Sequence, residues 1–399
     1  MKRFAVVTLL FLFLSITNLS AQTPPSWTNA VNGNQYYVNS AIGNDSNGGS
    51  QAHPWKTFSR ADQGVVPGST IHVACGVYPN TLEDSGRLLT TTSGTLSAPI
   101  RWVSDVRWGA KLTTNLTGND ATWWNQGNYV EIQGFEITGS GALGIYNEGS
   151  FTRIIDNKVH DIPATGCPSD GGAGIHDGNY AASDDDIIGN WVHHIGNYTS
   201  PCPRVHGIYH ANLRGHIYNN VVSQNEGWGI HTWHAATHVT ITNNTVFSNA
   251  YGGILIGAAK RDFRRRSGNT SNDWSTISNN IVYDNGNVAG GNGYGTEEYG
   301  SVGYNNQYFN NLVYQNGPAD WNLMHSRATG TIAADPGFNR YQRDGSGDYH
   351  LLSTSRATTT GSPVSAPTYD FEYGPRPVNG TWSIGAYQYG TAAGTYPQP

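Results

Sequence analysis

Along the middle of the chain, short runs of alternating apolar and polar residues recur around one shared phrase. Ile154-Ile-Asp-Asn157-Lys-Val, Ile187-Ile-Gly-Asn190-Trp-Val, Ile217-Tyr-Asn-Asn220-Val-Val, Ile241-Thr-Asn-Asn244-Thr-Val, Ile277-Ser-Asn-Asn280-Ile-Val and Tyr308-Phe-Asn-Asn311-Leu-Val are versions of one unit. A second phrase, Gly-Ile, falls between them at Gly144-Ile145, Gly174-Ile175, Gly207-Ile208, Gly229-Ile230 and Gly253-Ile254. The Asn marks lie 33, 30, 24, 36 and 31 residues apart. A variable period with constant strand phrases predicts coils of fixed girth that carry loops of unequal length. Such coils stack because none can bury its apolar side alone. The alternation puts Ile and Val inside and polar residues outside, and Asn at one corner is expected to form an internal amide ladder. No sustained spacing of three and four supports helices.

Composition agrees. The 399 residues include 50 Gly, 12% aromatics and only 13% charged side chains, against about 25% charged in an ordinary soluble domain. Enough apolar surface is present to exclude disorder, Gly has no collagen period, and the residue preferences are those of strands. The expectation is an all-β solenoid.

Residues 1–21 open with Lys2 and Arg3, continue as the apolar run Phe4 to Leu14 and end in Leu19-Ser20-Ala21. They read as a secretory signal cleaved after Ala21, the run being shorter than the ~20 residues that span a bilayer. The expected product is secreted, to periplasm or medium, with no membrane contact after cleavage. Export permits disulfides. Cys167 and Cys202 precede Gly174-Ile175 and Gly207-Ile208 by similar intervals, so they occupy equivalent loops and are expected to pair, leaving Cys75 buried and free. Three unpaired thiols are the alternative.

Both ends of the chain carry further signatures. Tyr36-Tyr-Val-Asn-Ser-Ala-Ile-Gly-Asn-Asp-Ser-Asn-Gly-Gly, Pro54-Trp-Lys-Thr-Phe and Pro67-Gly-Ser-Thr-Ile-His-Val-Ala-Cys-Gly-Val-Tyr resemble the N-terminal segment of secreted right-handed parallel β-helix proteins of the pectate-lyase-like superfamily. Ala334-Asp-Pro-Gly-Phe, Asp348-Tyr-His-Leu-Leu-Ser-Thr-Ser and Ile384-Gly-Ala-Tyr-Gln-Tyr resemble the segment that often closes them. The resemblance implies a right-handed parallel β-helix with a leader at 22–34, an N-terminal cap and first coils at 35–126, central coils at 127–316 and closing coils at 317–399. It does not fix an activity, since the scaffold hosts lyases, hydrolases and epimerases.

Candidate chemistry is unevenly spread. Of 14 His, eight lie between 193 and 238. The residues following the Gly-Ile pairs, Tyr146, His176, Tyr209, His231 and Leu255, are expected to face outward as one column, with Trp233 beside it. A stripe of rings and imidazoles suits a sugar chain, although solvent-exposed ladders of the same residues are favourable in themselves. Five of the seven residues Lys260-Arg261-Asp-Phe-Arg264-Arg265-Arg266 are cationic on a chain of net charge −6. That patch suits an anionic polysaccharide, with Arg pairing to sugar carboxylates. Nucleic acid is not expected from one basic loop on an acidic protein.

Eliminative cleavage of a uronate chain needs the carboxylate neutralised, a base to take the adjacent proton and an acid for the leaving oxygen. In the family this chain resembles, Ca²⁺ usually does the first and Arg or Lys the second. Asp170, Asp177, Asp184 and Asp186 are the candidate Ca²⁺ ligands. Lys260, Arg261, His210, His231 and Tyr209 are candidates for base or acid, and His176, Trp233, His234 and Arg264 for substrate binding. The expected protein is a monomeric polyuronate lyase. Glycoside hydrolysis, using two carboxylates such as Asp177, Asp184–Asp186 or Glu226, and non-catalytic binding are the alternatives.

Overall fold

The computed structural model describes residues 33–234, 236–259 and 271–396. The chain winds through three parallel sheets of eleven, nine and nine strands. One coil runs from the eleven-stranded sheet (Ile100–Ser104) to a second sheet (Ala110–Thr114), then to a third (Ala121–Asn125), before the next coil returns at Val130–Gln133. We call the third the groove sheet. Its strands Leu143–Asn147, Gly172–Asp177, Val205–His210, Trp228–Thr232, Gly252–Ala258 and Thr296–Gly300 lie side by side in that order. Among the described residues no helix is long and apolar enough to cross a membrane.

Ile145, Ile175, Ile208, Ile230 and Ile254 are fully buried, as the period of two requires. The Gly before each is inside its strand, not at a turn. A Cβ on Gly144, Gly174, Gly207, Gly229 or Gly253 would lie 2.5 Å from Cγ1 of Val159, Val192, Val222, Val246 or Val282, on the second sheet. Glycine is therefore required by the close approach of two sheets across the coil.

The expected ladder exists. The side-chain amides of Asn157, Asn190, Asn220, Asn244 and Asn280 each donate to the Oδ1 of the next Asn, ending at Asn311, at 2.9–3.1 Å. The residue before each ladder Asn takes a left-handed conformation, at Asp156, Gly189, Asn219, Asn243, Asn279 and Asn310, which Asn and Gly tolerate best. A second ladder, Asn225 to Asn249 to Asn285 to Asn316, fills the next corner.

One short helix, Phe58–Gly64, accompanies the strands, with the Thr57 hydroxyl accepting from the Arg60 amide at 3.1 Å. Its Phe58 packs on Trp102 and Trp123 and closes the N-terminal end of the core. At the other end, residues after 337 run back along the outside. The left-handed corner residues hold them: Asn310 donates to the Thr360 carbonyl, Asn279 to Ser362, Asn243 to Ser383 and Asn219 to Tyr369. Phe338, Tyr349, Phe371 and Ile384 cover Val221, Phe247, Ile281 and Leu312 of the second sheet. Among the described residues, these closing segments do not cover the outer face of the groove sheet.

Candidate functional site

Parallel pairing in register carries one outward side chain per coil into a column. Trp124, Tyr146, His176, Tyr209, His231, Leu255 and Glu297 are successive partners on the groove sheet. Neighbouring rings touch: the centroids of Tyr146 and His176 are 5.1 Å apart, His176 and Tyr209 4.8 Å, Tyr209 and His231 5.4 Å. Two residues further along their strands, Trp233 and Tyr299 stack at 6.0 Å. An open groove of about 1120 Å³ lies over this column.

Its floor is built from neutral donors and acceptors. Withdrawal from water pushes His176 down to about 4 and His231 down to about 3, the latter helped by nearby His234. Burial, and then the unfavourable proximity of the His231 and His176 imidazoles, pushes His206 well below the ordinary range. All three imidazoles are therefore uncharged at neutral pH. His231 Nδ1 is 3.0 Å from His206 Nε2, while His231 Nε2 and His176 Nδ1 have no partner among the described residues. Tyr209 stands among the three, 5.4 Å from the His206 ring.

Carboxylates mark the ends. Glu148 accepts from Trp124 Nε1 at 2.8 Å and from the Tyr146 hydroxyl at 3.1 Å. Burial first, and then the Glu148 charge, raise the Tyr146 pKa. Glu297 is buried, which raises its pKa. Five inter-strand steps separate their coils, roughly 24 Å at the parallel spacing.

One wall is made by the loops joined through Cys167 and Cys202, whose disulfide has formed. Ser169, Asp170, Pro203 and Arg204 from these loops line the groove. Cys75 is free, but it is exposed where burial was expected.

The column, Trp233 and His234 thus meet in one groove, His234 packing on Tyr180 with ring centroids 4.1 Å apart. His210 does not join them. Its side chain is fully buried at the corner, with Nδ1 2.7 Å from Asp177 and Nε2 3.0 Å from the Arg214 carbonyl. The inward register of this position, two residues past the inward Ile208, excludes it from the groove floor. Lys260, Arg261 and Arg264 lie outside the described residues.

The four aspartates expected to hold Ca²⁺ do not converge. Asp170 is on the groove wall, where it accepts from Asn119 at 2.8 Å. Asp177 is inside the coil and continues a third ladder, taking bonds from Asn147 and Asn212. Asp184 and Asp186 face outward on the eleven-stranded sheet, paired with Arg214 and His216. These four do not fit one ion, and among the described residues no cluster of three or more His, Cys, Asp or Glu is placed to hold a metal. Glu226, considered for hydrolysis, is buried and accepts from the Asn197 amide.

Glu148, Glu297, His206, Trp228, Tyr251 and Tyr299 line the groove but escaped the sequence reading. His206 and Trp228 sit one residue before a Gly-Ile pair, a signal that could have found them. Glu297 has no such phrase, because its coil reads Gly295-Thr296 where others read Gly-Ile.

Residues 110–267 match the family described as a right handed beta helix region. The fold is a right-handed parallel β-helix. The pectate lyase Pel9A is 17% identical, with a TM-score of 0.55 over 89% of this chain and 96% of that one. The A-module of the Azotobacter vinelandii mannuronan C-5 epimerase AlgE4 is 15% identical, TM-score 0.48, over 74% of each chain. An alginate lyase from Paenibacillus sp. str. FPU-7 is 18% identical, TM-score 0.45, over 68% and 96%. No curated protein matches the chain.

Proposed function

We propose that this protein is exported, binds a uronic-acid-containing polysaccharide along the groove as a monomer, and cleaves it by β-elimination. The observation that carries the reading is the phenol of Tyr209 set among His176, His206 and His231 in an open groove. Elimination requires one group to take the C5 proton, which lies beside the sugar carboxylate. The C4–C5 double bond then forms, the C4–O4 bond breaks, and a second group returns a proton to O4. A neutral imidazole with an unpartnered nitrogen and a phenol one coil away are suited to these two transfers.

The Glu148 and Glu297 coils, roughly 24 Å apart, are too distant to act as a glycosidase pair, which needs about 5–10 Å. Asp170 enters from the opposite end of the strands to Glu148, before Gly172 in a coil where Glu148 aligns after Asp177. Arg204 on the wall is placed to supply charge for the sugar carboxylate, and the cationic run 260–266 follows Ala259 in the sequence. Lys260 and Arg261 are candidates for the base or acid, and Arg264 for substrate binding.

The test is incubation with pectate, alginate and other uronans, with and without a chelator, followed by absorbance in the unsaturated-uronate band. Absorbance growing with time is expected. Reducing ends without it indicate hydrolysis, and no product from any uronan overturns the catalytic reading. Loss of activity with chelator would reinstate a Ca²⁺ requirement, supplied by ligands other than the four aspartates.

A further inference from the structure

The eleven-stranded sheet carries a second concave surface, around the corner from the groove. It is a pocket of about 420 Å³ lined by Tyr129, Phe151, Arg153, Asp184, Arg214 and His238, among others. The register of the strands brings Tyr129, Phe151, Asp184, Arg214, His238 and Trp274 into one column, one residue per coil. All six have positive φ between 54° and 65°, so the same turn geometry aims each side chain the same way.

The ends of this column are flat rings. Tyr129 and Phe151 stack at 4.6 Å with planes 1° apart, and His238 and Trp274 stack at 6.1 Å with planes 14° apart. Trp274 is 57% exposed. Three coil steps, about 14 Å, separate Phe151 from His238. Between them the charges compensate each other. Arg214 is paired with Asp184, His216 with Asp186, and Arg153 with Glu131 and Asp186. A polyanion or polycation would have to break these pairs. A neutral chain rich in hydroxyls could stack on the rings at both ends and share hydrogen bonds with the paired groups between, advancing by about one coil per sugar.

We propose that this surface is a second carbohydrate-binding site, which holds a neutral glycan segment along the helix axis, stacked on Tyr129 and Phe151 at one end and His238 and Trp274 at the other. It is separate from the groove and does not depend on the reaction assigned there. Neutral side chains or segments of a polymer whose uronate stretch occupies the groove are the chemistry it fits.

Affinity gel electrophoresis of the full chain in arabinoxylan, galactan, glucomannan and polygalacturonate tests the idea. Retardation by at least one neutral polymer is expected, weakened roughly tenfold by Trp274→Ala and also by Arg214→Ala, but unchanged by the groove variant His231→Ala. Trp274 is mostly exposed, so its removal should leave the melting temperature unchanged, and Arg214→Ala provides a second, independent readout. No retardation by any neutral polymer overturns the site. So does retardation confined to polygalacturonate, retardation that only His231→Ala removes, or a concentration-dependent dimer abolished by Trp274→Ala, which would make the occupant a second copy of the chain.

Discussion

His231 holds its Nδ1 3.0 Å from Nε2 of His206, one coil away. Two nitrogens this close share one proton, and a second would set two N–H groups against each other in a site withdrawn from water. Burial first, with His234 near His231 and with His231 and His176 near His206, holds both imidazoles neutral, His231 down to about 3 and His206 well below its ordinary value. The unfolded chain takes up protons near the ordinary histidine value of about 6.5, while the folded chain resists them until much lower pH. Stability from these groups is therefore full above about pH 6.5 and falls as pH drops toward 4 and below, by up to about 1.4 kcal/mol per pH unit for each histidine. Urea unfolding at a series of pH values should show this slope, and His206→Gln with His231→Gln should flatten it. An unchanged slope in the double variant would refute the assignment.

Tyr209→Phe removes a proton and keeps the ring between His176 and His231. If the phenol transfers a proton in the elimination, kcat should fall by about 10²- to 10⁴-fold with KM little changed. A proportional rise in KM at constant kcat would make Tyr209 a binding residue instead. Far-ultraviolet circular dichroism checks that the coil stack survives.

Most of the scaffold was legible because a solenoid repeats its local rules. Asn157 and its successors could be recognised as a ladder, and Tyr146, His176, Tyr209 and His231 as one column, from position relative to the buried Ile alone. His210 shows the limit of that logic. Counting outward from Ile208 makes Tyr209 a groove residue and returns His210 to the interior, where it meets Asp177, but clustering by residue type had grouped it with the others. Aspartates close in sequence misled for the same reason. Asp184, Asp185 and Asp186 are consecutive, yet Asp185 points inward to the Thr152 amide while its neighbours face out. Glu148 and Glu297 were invisible because their importance comes from stacking between coils far apart in sequence.

Those two carboxylates should oppose an anionic chain. Glu148→Gln removes the charge and keeps one oxygen to accept from Trp124, its NH2 turning toward the Tyr146 hydroxyl oxygen, and Glu297→Gln removes the charge at the far end. Each variant should bind polyuronate a few-fold more tightly at low salt, an effect lost as ionic strength shortens the screening length to about 8–10 Å. Equal affinities at low salt would mean that the chain does not pass these ends.

The disulfide closes the wall that carries Asp170 and Arg204. Replacing Cys167 and Cys202 together by Ser frees a loop spanning 35 residues of separation and should cost about 2–4 kcal/mol of stability. Because the loops project from the coils, the stacked core should remain folded at room temperature, while KM for the polysaccharide rises. Isothermal titration on the oxidised and double-Ser proteins separates the effects. Unchanged binding would show that the wall does not contact the ligand.

Gly229 ties the core to the floor of the groove. An alanine there puts its Cβ 2.5 Å from Cγ1 of Val246 and 2.7 Å from Nδ2 of Asn249, so either the two sheets separate or the second amide ladder shifts. Overpacking of this kind costs about 1–3 kcal/mol, and His231, two residues further along the same strand, should move with it. Gly229→Ala is therefore expected to lower both the melting temperature and the activity. Gly48→Ala, where a Cβ meets nothing within 4 Å, should change stability by no more than about 0.5 kcal/mol. Val246→Ala removes the methyl that the added Cβ of Gly229→Ala would strike. The two substitutions together should then cost less than the sum of each alone, a coupling that a double-mutant cycle of unfolding free energies measures directly. Strict additivity would show that close approach of the sheets is not why glycine precedes each buried isoleucine.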